Sequence, residues 1–362
     1  MIVGAGEQRA SAAAGRETSR VVVTGGRGFV GAHLARALAD AGREVIVTTR
    51  GDRAAERAGG AGLPTVAVPD VTDARRWREA FAGADAVVHL AARVHVMREH
   101  ATDPLAEFRR VNVEGTRAVL EGAAAAGVRR VVVASSVKAV GESNVSPWTG
   151  STVPMPADAY GRSKREAELV AEALAARTGV FAPCLRLPLV YGPGVGGNMR
   201  RLFDQVAAGR PVPLGGVHNR RSLVYVGNVA AAVAGLLRHE GGAGTAPTLF
   251  VSDDHNVSSA ELVHAIGRAL GRPARLWPAP IRLLTAAARV GDAVAPVWRG
   301  VPWTTAAARR LLGSLTVDVT DLRLLTGYVP PITFEAGLAE TARWYRSLAA
   351  AARAGGAPPR HR

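Results

Sequence analysis

Hydrophobic residues in the first half of the chain form short unbroken runs separated by amphipathic segments. The runs Arg20–Thr24 (RVVVT) and Glu44–Thr49 (EVIVTT) are rich in β-branched residues and lack polar alternation, as is typical of strands buried on both faces of a parallel sheet. Further strands are predicted at residues 65–68, 86–90, 128–134 and 181–190, and helices at 33–41, 74–81, 103–126 and 165–177. This alternation predicts an α/β fold built on a doubly wound parallel sheet.

The alternation loosens after residue 192. Residues 211–221 are rich in loop formers, a strand is predicted at 248–252, and helices are predicted at 258–270, Ile281–Val294 and 333–351. We therefore expect a smaller, partly helical C-terminal substrate lobe. The predicted division is a disordered extension at 1–18, a dinucleotide-binding domain at 19–192, a substrate lobe at 193–352 with some segments returning to the first domain, and a disordered tail at 353–362.

Composition narrows the class of protein. A hydrophobic content of 48% with 41 glycines in 362 residues indicates a packed protein. The net charge of +15 comes from arginines scattered along the chain without an aromatic-interleaved basic block, which favours anionic small ligands over nucleic acid. A single cysteine, Cys184, excludes a disulfide or a cysteine zinc site, and no cluster indicates another metal. No apolar stretch suits a signal peptide or a membrane span, so we expect a cytoplasmic protein.

A glycine-rich turn follows the first predicted strand. Gly25, Gly28 and Gly31 are spaced G-x-x-G-x-x-G between that strand and a helix. A tight turn, a close approach of the backbone and a helix N-terminus together bind a dinucleotide pyrophosphate. The sequence therefore predicts a dinucleotide cofactor at this turn.

The end of the second predicted strand bears on which dinucleotide is bound. Folds of this kind usually place an acidic residue there, on the adenosine ribose, whereas this chain has Thr48-Thr49-Arg50. An arginine without a carboxylate suits a 2′-phosphate, so NADP is predicted at least as strongly as NAD. The alternative is that Arg50 is one of many exposed arginines.

Tyr160 and Lys164 lie four residues apart at the start of a predicted helix, and therefore on one helix face. The chain has only two lysines, Lys138 and Lys164, among 45 basic residues, so a retained lysine suggests a task that arginine cannot perform. An ammonium close to a phenol lowers the phenol pKa from roughly 10 towards neutrality, which makes it a usable acid and base. The alternative is a surface tyrosine stacked on a lysine stem.

These and other segments resemble the extended short-chain dehydrogenase/reductases, in particular the nucleotide-sugar epimerase/dehydratase group. The resemblance spans about residues 20–346. The matching segments are 24–31 (TGGRGFVG), Asp70, 89–92 (HLAA), 112–116 (NVEGT), Ser135 with Ser136, Tyr160 with Lys164, 185–186 (LR), 190–194 (VYGPG) and 221–226 (RSLVYV).

The resemblance implies a Rossmann fold, an NAD or NADP cofactor, a nucleotide-sugar substrate and a homodimer. It implies that Tyr160 is the acid/base, that Ser136 binds the reacting oxygen, and that Lys164 holds the nicotinamide ribose. The implied cofactor contacts are Gly25, Gly28, Phe29, Val30, Gly31, Arg50, Asp70 (at the adenine), Val71, Leu90, Ala91, Ala92, Asn112, Tyr160 and Lys164. Arg221 would grip the substrate diphosphate and Asn198 would contact the nucleotide sugar, unless either is a solvated loop side chain.

A finer resemblance is to a subgroup that carries the segments found here at 89–97 (HLAARVHVM) and 135–142 (SSVKAVGE). It includes UDP-glucose 4-epimerase-like sequences and reductases of 4-keto nucleotide sugars. It implies that Lys138 lies near the substrate mouth, whereas His95 is either a second acid or a packed histidine. Dehydratases of the family have an Asp-Glu pair where this chain has Val137-Lys138, which argues against water elimination and against decarboxylation.

The sequence therefore predicts an NAD(P)-dependent 4-epimerase of a UDP-hexose or UDP-N-acetylhexosamine, acting by hydride transfer at C4. An NADPH-dependent reductase of a 4-keto nucleotide sugar remains open, because both reactions use Ser136, Tyr160 and Lys164. A non-catalytic NAD(P)-binding regulatory or RNA-associated relative is the alternative from another class.

Overall fold

The computed structural model describes residues 19–51, 62–94, 103–294 and 304–353. The predicted extension at 1–18, the predicted tail from residue 354 onward and His95 lie outside these residues.

The described residues form ten strands in two sheets. The strands are β1 (Arg20–Thr24), β2 (Glu44–Thr49), β3 (Thr65–Ala67), β4 (Ala86–His89), β5 (Arg130–Ser136), β6 (Cys184–Leu187), β7 (Leu189–Tyr191), β8 (Arg221–Tyr225), β9 (Thr248–Phe250) and β10 (Asn256–Val257). The helices are α1 (Phe29–Asp40), α2 (Ala74–Ala80), α3 (Pro104–Arg109), α4 (Gly115–Ala125), α5 (Ala159–Thr178), α6 (Gly197–Ala207), α7 (Val226–Arg238), α8 (Ser259–Leu270), α9 (Ile281–Val294), α10 (Thr305–Leu312), α11 (Thr320–Thr326) and α12 (Phe334–Arg353). A π-helical turn, Arg110–Glu114, joins α3 to α4, so the long helix predicted at 103–126 is continuous.

The large sheet has the strand order β3-β2-β1-β4-β5-β6-β9, and every pair in it is parallel. The chain builds outward from β1 to β3 and then returns to place β4 on the other side of β1. This reversal opens a crevice at the carboxyl ends of β1 and β4, where open α/β sheets bind ligands. The predicted doubly wound, Rossmann-like sheet is confirmed.

The valines of β1 explain why its sequence shows no polar alternation. Val21 and Val23 pack in the layer that contains α1 and α7, whereas Val22 points to the opposite layer, formed by α2, α4 and α5. All three are fully buried because helices cover both faces of the sheet.

The predicted strand at 181–190 is wrong in one respect, because it is two strands. Pro188 separates β6, in the large sheet, from β7, in a small sheet of order β10-β8-β7. Proline lacks a backbone N–H and cannot continue a ladder between two neighbours. The chain therefore leaves the large sheet at this point and carries residues 189–194 towards the second lobe.

The small sheet packs against α6, α8 and α12 around a separate core that includes Met199, Phe203, Ile266 and Leu338. Helix α7 packs on α1, and β9 pairs with β6 at the edge of the large sheet. Segments of the C-terminal half of the chain therefore return to the domain that contains the large sheet. The division at residue 192 remains a prediction. Within the described ranges, no helix has the length and apolarity needed to cross a bilayer.

Candidate functional site

The glycine turn after β1 forms a bare backbone cradle in the crevice. Gly25 has a φ of +68°, and a Cβ on it would lie 2.7 Å from the backbone nitrogen of Ala91. A Cβ on Gly31 would lie 2.3 Å from the Gly25 carbonyl oxygen. Only glycine fits at either position, and the turn presents the N-terminus of α1 to the crevice. The residues present fit a dinucleotide pyrophosphate.

Residues predicted to contact the cofactor also link this turn to the second lobe. The Phe29 ring lies against Gly194, where a Cβ would be 3.4 Å from the ring. His33 Nε2 lies 2.6 Å from the carbonyl oxygen of Pro193, and its ring meets Phe29 edge-on. Val30 packs on the core beneath the turn. The segment at 193–194, which leads into the lobe, is thus held beside the cofactor turn.

A hydrogen-bond chain through buried His89 fixes the opposite wall of the crevice. Thr116 donates to the carbonyl of Asn112 (2.6 Å), so it must accept from His89 Nε2 (3.2 Å). His89 Nδ1 then accepts from the Thr24 hydroxyl (2.8 Å), which accepts in turn from the Ala91 amide (3.2 Å). Burial, with a smaller effect of the Lys164 charge, lowers the pKa of His89 to about 3. The neutral ring is a positioning element that sequence reasoning missed.

The other predicted cofactor residues lie around the same crevice. Leu90, Ala91 and Ala92 follow β4 and are half-buried, and exposed Arg50 directly follows β2. Asp70 is exposed, and its Oδ1 accepts from the amide and hydroxyl of Thr72, which lowers the pKa of Asp70.

Two predicted cofactor residues mainly hold elements together. Asn112 exchanges two hydrogen bonds with the backbone of Arg93 (2.8 and 3.0 Å) and donates to Ser163 (2.9 Å). Val71 packs against Gly115, where a Cβ would be 2.9 Å from the valine side chain. Their contacts to a cofactor remain predictions.

The structure brings Ser136, Tyr160 and Lys164 together at the carboxyl end of β5. Asp158 caps α5 by accepting from the Gly161 amide (2.7 Å), which places Tyr160 in the first helical turn. The Ser136 hydroxyl lies beside the Tyr160 phenol, where hydrogen bonding favours the phenolate. One helical turn later, the buried Lys164 ammonium donates to the carbonyl of Ala134 (2.7 Å).

The pKa values of this set correct one expectation. Burial raises the pKa of Tyr160 to about 12; the bond to Ser136 lowers it, and the charge of Asp158 raises it further. Burial lowers the pKa of Lys164 to about 8, against the raising effects of Cys184 and Glu168. The expectation that the lysine lowers the phenol pKa is wrong for the chain's own groups, because desolvation dominates.

Of the residues predicted to bind substrate, Arg221 is the more enclosed. It begins β8 and donates to the carbonyl of Gly313 (3.1 Å), whereas Asn198 is exposed at the start of α6. Gly313 also lines a cavity of about 380 Å³ between α9 and α10. Arg289 and Arg309 are among the other residues that line it. The sequence analysis singled out neither arginine, because nothing distinguishes them in an arginine-rich chain.

The third residue predicted to bind substrate, Lys138, forms two ion pairs within the chain. Its ammonium lies between the carboxylates of Glu142 and Asp158. A direct contact to substrate remains a prediction.

Comparisons with known proteins agree with this geometry. The sequence model of the NAD dependent epimerase/dehydratase family matches residues 21–247. A protein of Vibrio cholerae named UDP-glucose 4-epimerase is 32% identical over 329 residues, covering 89% of this chain and 94% of the relative. A 2-alkyl-3-oxoalkanoate reductase of Stenotrophomonas maltophilia is 30% identical over 336 residues, covering 88% and 97%. The solved structure of MoeE5 in complex with UDP-glucuronic acid and NAD is 26% identical with a TM-score of 0.70, covering 91% and 99%.

Proposed function

The chain belongs to the NAD dependent epimerase/dehydratase family, and we propose that it is a nucleotide-sugar 4-epimerase acting on a UDP-hexose or UDP-N-acetylhexosamine. The observation that carries the proposal is the convergence of Ser136, Tyr160 and Lys164 beside the glycine cradle. The Vibrio cholerae relative named as a UDP-glucose 4-epimerase supports the reaction, and MoeE5 with UDP-glucuronic acid supports the substrate class.

NAD is the cofactor we assign to the crevice. Gly25, Gly28 and Gly31 would hold its pyrophosphate, Asp70 its adenosine end and Lys164 its nicotinamide ribose. When bound, oxidised NAD supplies a hydride acceptor for C4 and a positive charge that lowers the pKa of nearby acids. The complex of MoeE5 with NAD supports this assignment.

The chain's own residues would move the proton at the C4 oxygen. Tyr160, as the phenolate, accepts the proton of the C4 hydroxyl and later returns it. Ser136 bonds the same oxygen and keeps it beside the phenol. Arg221 would bind the substrate diphosphate, and a guanidinium suits this role because it donates two parallel hydrogen bonds.

A second candidate function is an NADPH-dependent reductase of a 4-keto nucleotide sugar. Arg50, exposed directly after β2 where no acidic residue stands, favours it, because it suits a cofactor with a 2′-phosphate. The Stenotrophomonas maltophilia reductase adds support for reduction within this sequence neighbourhood. A non-catalytic role is disfavoured, because the chain keeps Tyr160 and Lys164 and places them at the carboxyl end of β5.

The two reactions are separated by their cofactor balance. We expect the purified protein to invert C4 of UDP-glucose or UDP-GlcNAc with no net change in reduced nicotinamide, because an epimerase returns the hydride that it removes. Absorbance of reduced nicotinamide and chromatography of the sugar products measure this. Stoichiometric consumption of NADPH with a UDP-4-keto-6-deoxyhexose, and no product from the other two sugars, would establish the reductase instead.

Arg50 provides a test of the choice between NAD and NADP. Replacing Arg50 by alanine should weaken NADP binding about tenfold, or about 1.4 kcal/mol, and change NAD binding less than about twofold, because only NADP carries the 2′-phosphate. Titration calorimetry with both cofactors measures the difference, and Arg43→Ala, at the half-buried position just before β2, controls for the loss of charge. Equal losses for both cofactors would leave Arg50 without a role in the choice.

Two further properties belong to the proposal. We infer a homodimer from the family resemblance, which sedimentation of the purified protein would test. A cytoplasmic location is the expectation from one buried cysteine and a chain without a candidate membrane helix in its described ranges.

A further inference from the structure

The ammonium of Lys138 is held by two carboxylates that come from different elements. Nζ lies 2.6 Å from Glu142 Oε1 and 2.7 Å from Asp158 Oδ2, and 19% of the side chain is exposed. Glu142 lies on the segment that follows β5, whereas Asp158 is the cap of α5. Lys138 therefore ties the segment after β5 to the helix that carries Tyr160.

The backbone of Lys138 makes two more contacts at the same junction. Its amide donates to Ser136 Oγ (3.2 Å), so the single hydroxyl proton of Ser136 stays available to the Tyr160 phenol. Its carbonyl oxygen would lie only 2.3 Å from a Cβ on Gly161. The first turn of α5 thus rests directly on the Lys138 backbone, and a glycine at 161 allows that approach.

We propose that Lys138 is a positioning residue that holds Ser136 and Tyr160 in register and balances the negative charge of Asp158 and Glu142 beside the phenol. The inference rests on the proposed function for the roles of Ser136 and Tyr160. It assigns Lys138 to the enzyme's own organisation, in place of the substrate contact expected from sequence. Burial lowers the pKa of Arg221 and the charge of Glu142 raises it, so the same carboxylate links this junction to the proposed diphosphate site.

The charges around Tyr160 determine what the loss of Lys138 should do. On its own helix the phenol has Asp158, whose charge raises the phenol pKa, and Lys164 one turn later. Lys138, from the segment after β5, reaches these surroundings through its ion pair with Asp158, and Glu142 shares the same ammonium. From α3 it meets the uncharged Phe108 ring, 5.9 Å away between centroids, and Arg93 lies over that ring. Removing the Lys138 ammonium removes the positive charge that lies 2.7 Å from Asp158, so the Asp158 carboxylate would disfavour the phenolate more strongly.

Two single substitutions should shift the pH profile in opposite directions. The rate rises with pH as Tyr160 loses its proton. A higher phenol pKa therefore moves the acid limb of the kcat profile up to higher pH. Lys138→Met should move it up by about one pH unit and lower kcat at neutral pH about tenfold, with KM for the nucleotide sugar within about twofold. Asp158→Asn keeps the cap acceptor and removes a negative charge, so it should move the limb downward.

Charge-matched variants separate this role from general damage. Lys138→Arg keeps the charge and should recover most of the rate lost in Lys138→Met. The double variant K138M/D158N carries the same local charge as the wild type and should bring the limb back to within about 0.3 pH units. The phenol pKa can also be measured without turnover, by ultraviolet titration of the NAD-bound protein with the Tyr160→Phe protein as the reference. In each variant, this pKa should shift in the same direction as the acid limb.

The kinetic constants of Lys138→Met distinguish a positioning residue from a substrate contact. A raised KM with unchanged kcat in Lys138→Met would make Lys138 a substrate contact and overturn the proposal. Shifts of the same sign in Lys138→Met and Asp158→Asn, or none in either, would also overturn it. If Lys138→Met does not fold, Lys138→Gln removes the same charge with a polar side chain; an upward shift of its limb supports the proposal and an unchanged limb refutes it. If the wild type turns over no nucleotide sugar but the titration shifts as stated, the proposed function fails and the inference stands.

Discussion

Replacing Tyr160 by phenylalanine is expected to lower kcat at least about 100-fold, equivalent to about 2.7 kcal/mol in the barrier, while NAD affinity changes less than about twofold. Phenylalanine keeps the ring that meets Phe108 and the cap of α5 by Asp158. It removes only the hydroxyl that Ser136 bonds and that would exchange a proton with the sugar. Steady-state epimerisation and NAD titration measure the two quantities.

The matched control is Tyr328→Phe. That phenol is also buried and donates to the Ser252 carbonyl (3.0 Å), but it packs in the core of the large sheet, just after α11. Its loss should cost stability of about 1 kcal/mol and leave kcat within about twofold. A Tyr160→Phe protein with a rate close to that of the wild type would remove the phenol from the mechanism and with it the central role proposed for α5.

The parts of the fold that the sequence predicts well are those encoded locally. Strands β1 and β2 and helix α9 have the predicted bounds, and Asp73 caps α2 through the Arg76 amide (3.1 Å), because runs of β-branched residues, helical periodicity and capping residues act over a few positions. Helix α7 was missed, because its sequence is apolar around most of its circumference and most of it is buried. A helix without a polar face gives no amphipathic signal.

The site shows the same division between local and long-range information. The scarcity of lysine singled out both Lys138 and Lys164. Both side chains are largely buried, and both ammonium groups have polar partners. Their partners, however, depend on packing: Asp158 is twenty residues from Lys138 in the sequence, and Ala134 lies on a strand behind Lys164. The pKa of Tyr160 likewise depends on how much of the phenol the fold desolvates, which spacing alone cannot give.

A buried ion pair under the site depends entirely on residues that are distant in the sequence or in different elements. Glu168 on α5 and Arg186 on β6 are 2% and 1% exposed and form two hydrogen bonds, of 2.9 and 2.8 Å. Glu168 also accepts from Ser135 (2.6 Å) and from Arg165 (3.1 Å), and the Arg186 guanidinium lies over the Phe250 ring, 5.3 Å from its centroid. The pair joins the helix that carries Tyr160 to the large sheet. Nothing in the local sequence around either residue predicts it.

Replacing Glu168 by leucine is expected to lower the free energy of unfolding by about 3 to 5 kcal/mol, because Arg186 would remain charged in the core without its partner. The double variant E168L/R186M should recover most of that loss, since it removes both charges and keeps the apolar volume. Urea denaturation measures both.

The control is Glu166→Gln, two residues earlier on the same helix. Glu166 pairs with Arg109 at 2.7 Å, but the two side chains are 31% and 52% exposed, so solvent screening should keep its effect below about 1 kcal/mol. A loss in Glu168→Leu no larger than in Glu166→Gln would mean that solvent or another acid compensates Arg186. In that case the pair would not be what anchors α5, and with it Tyr160, to the sheet.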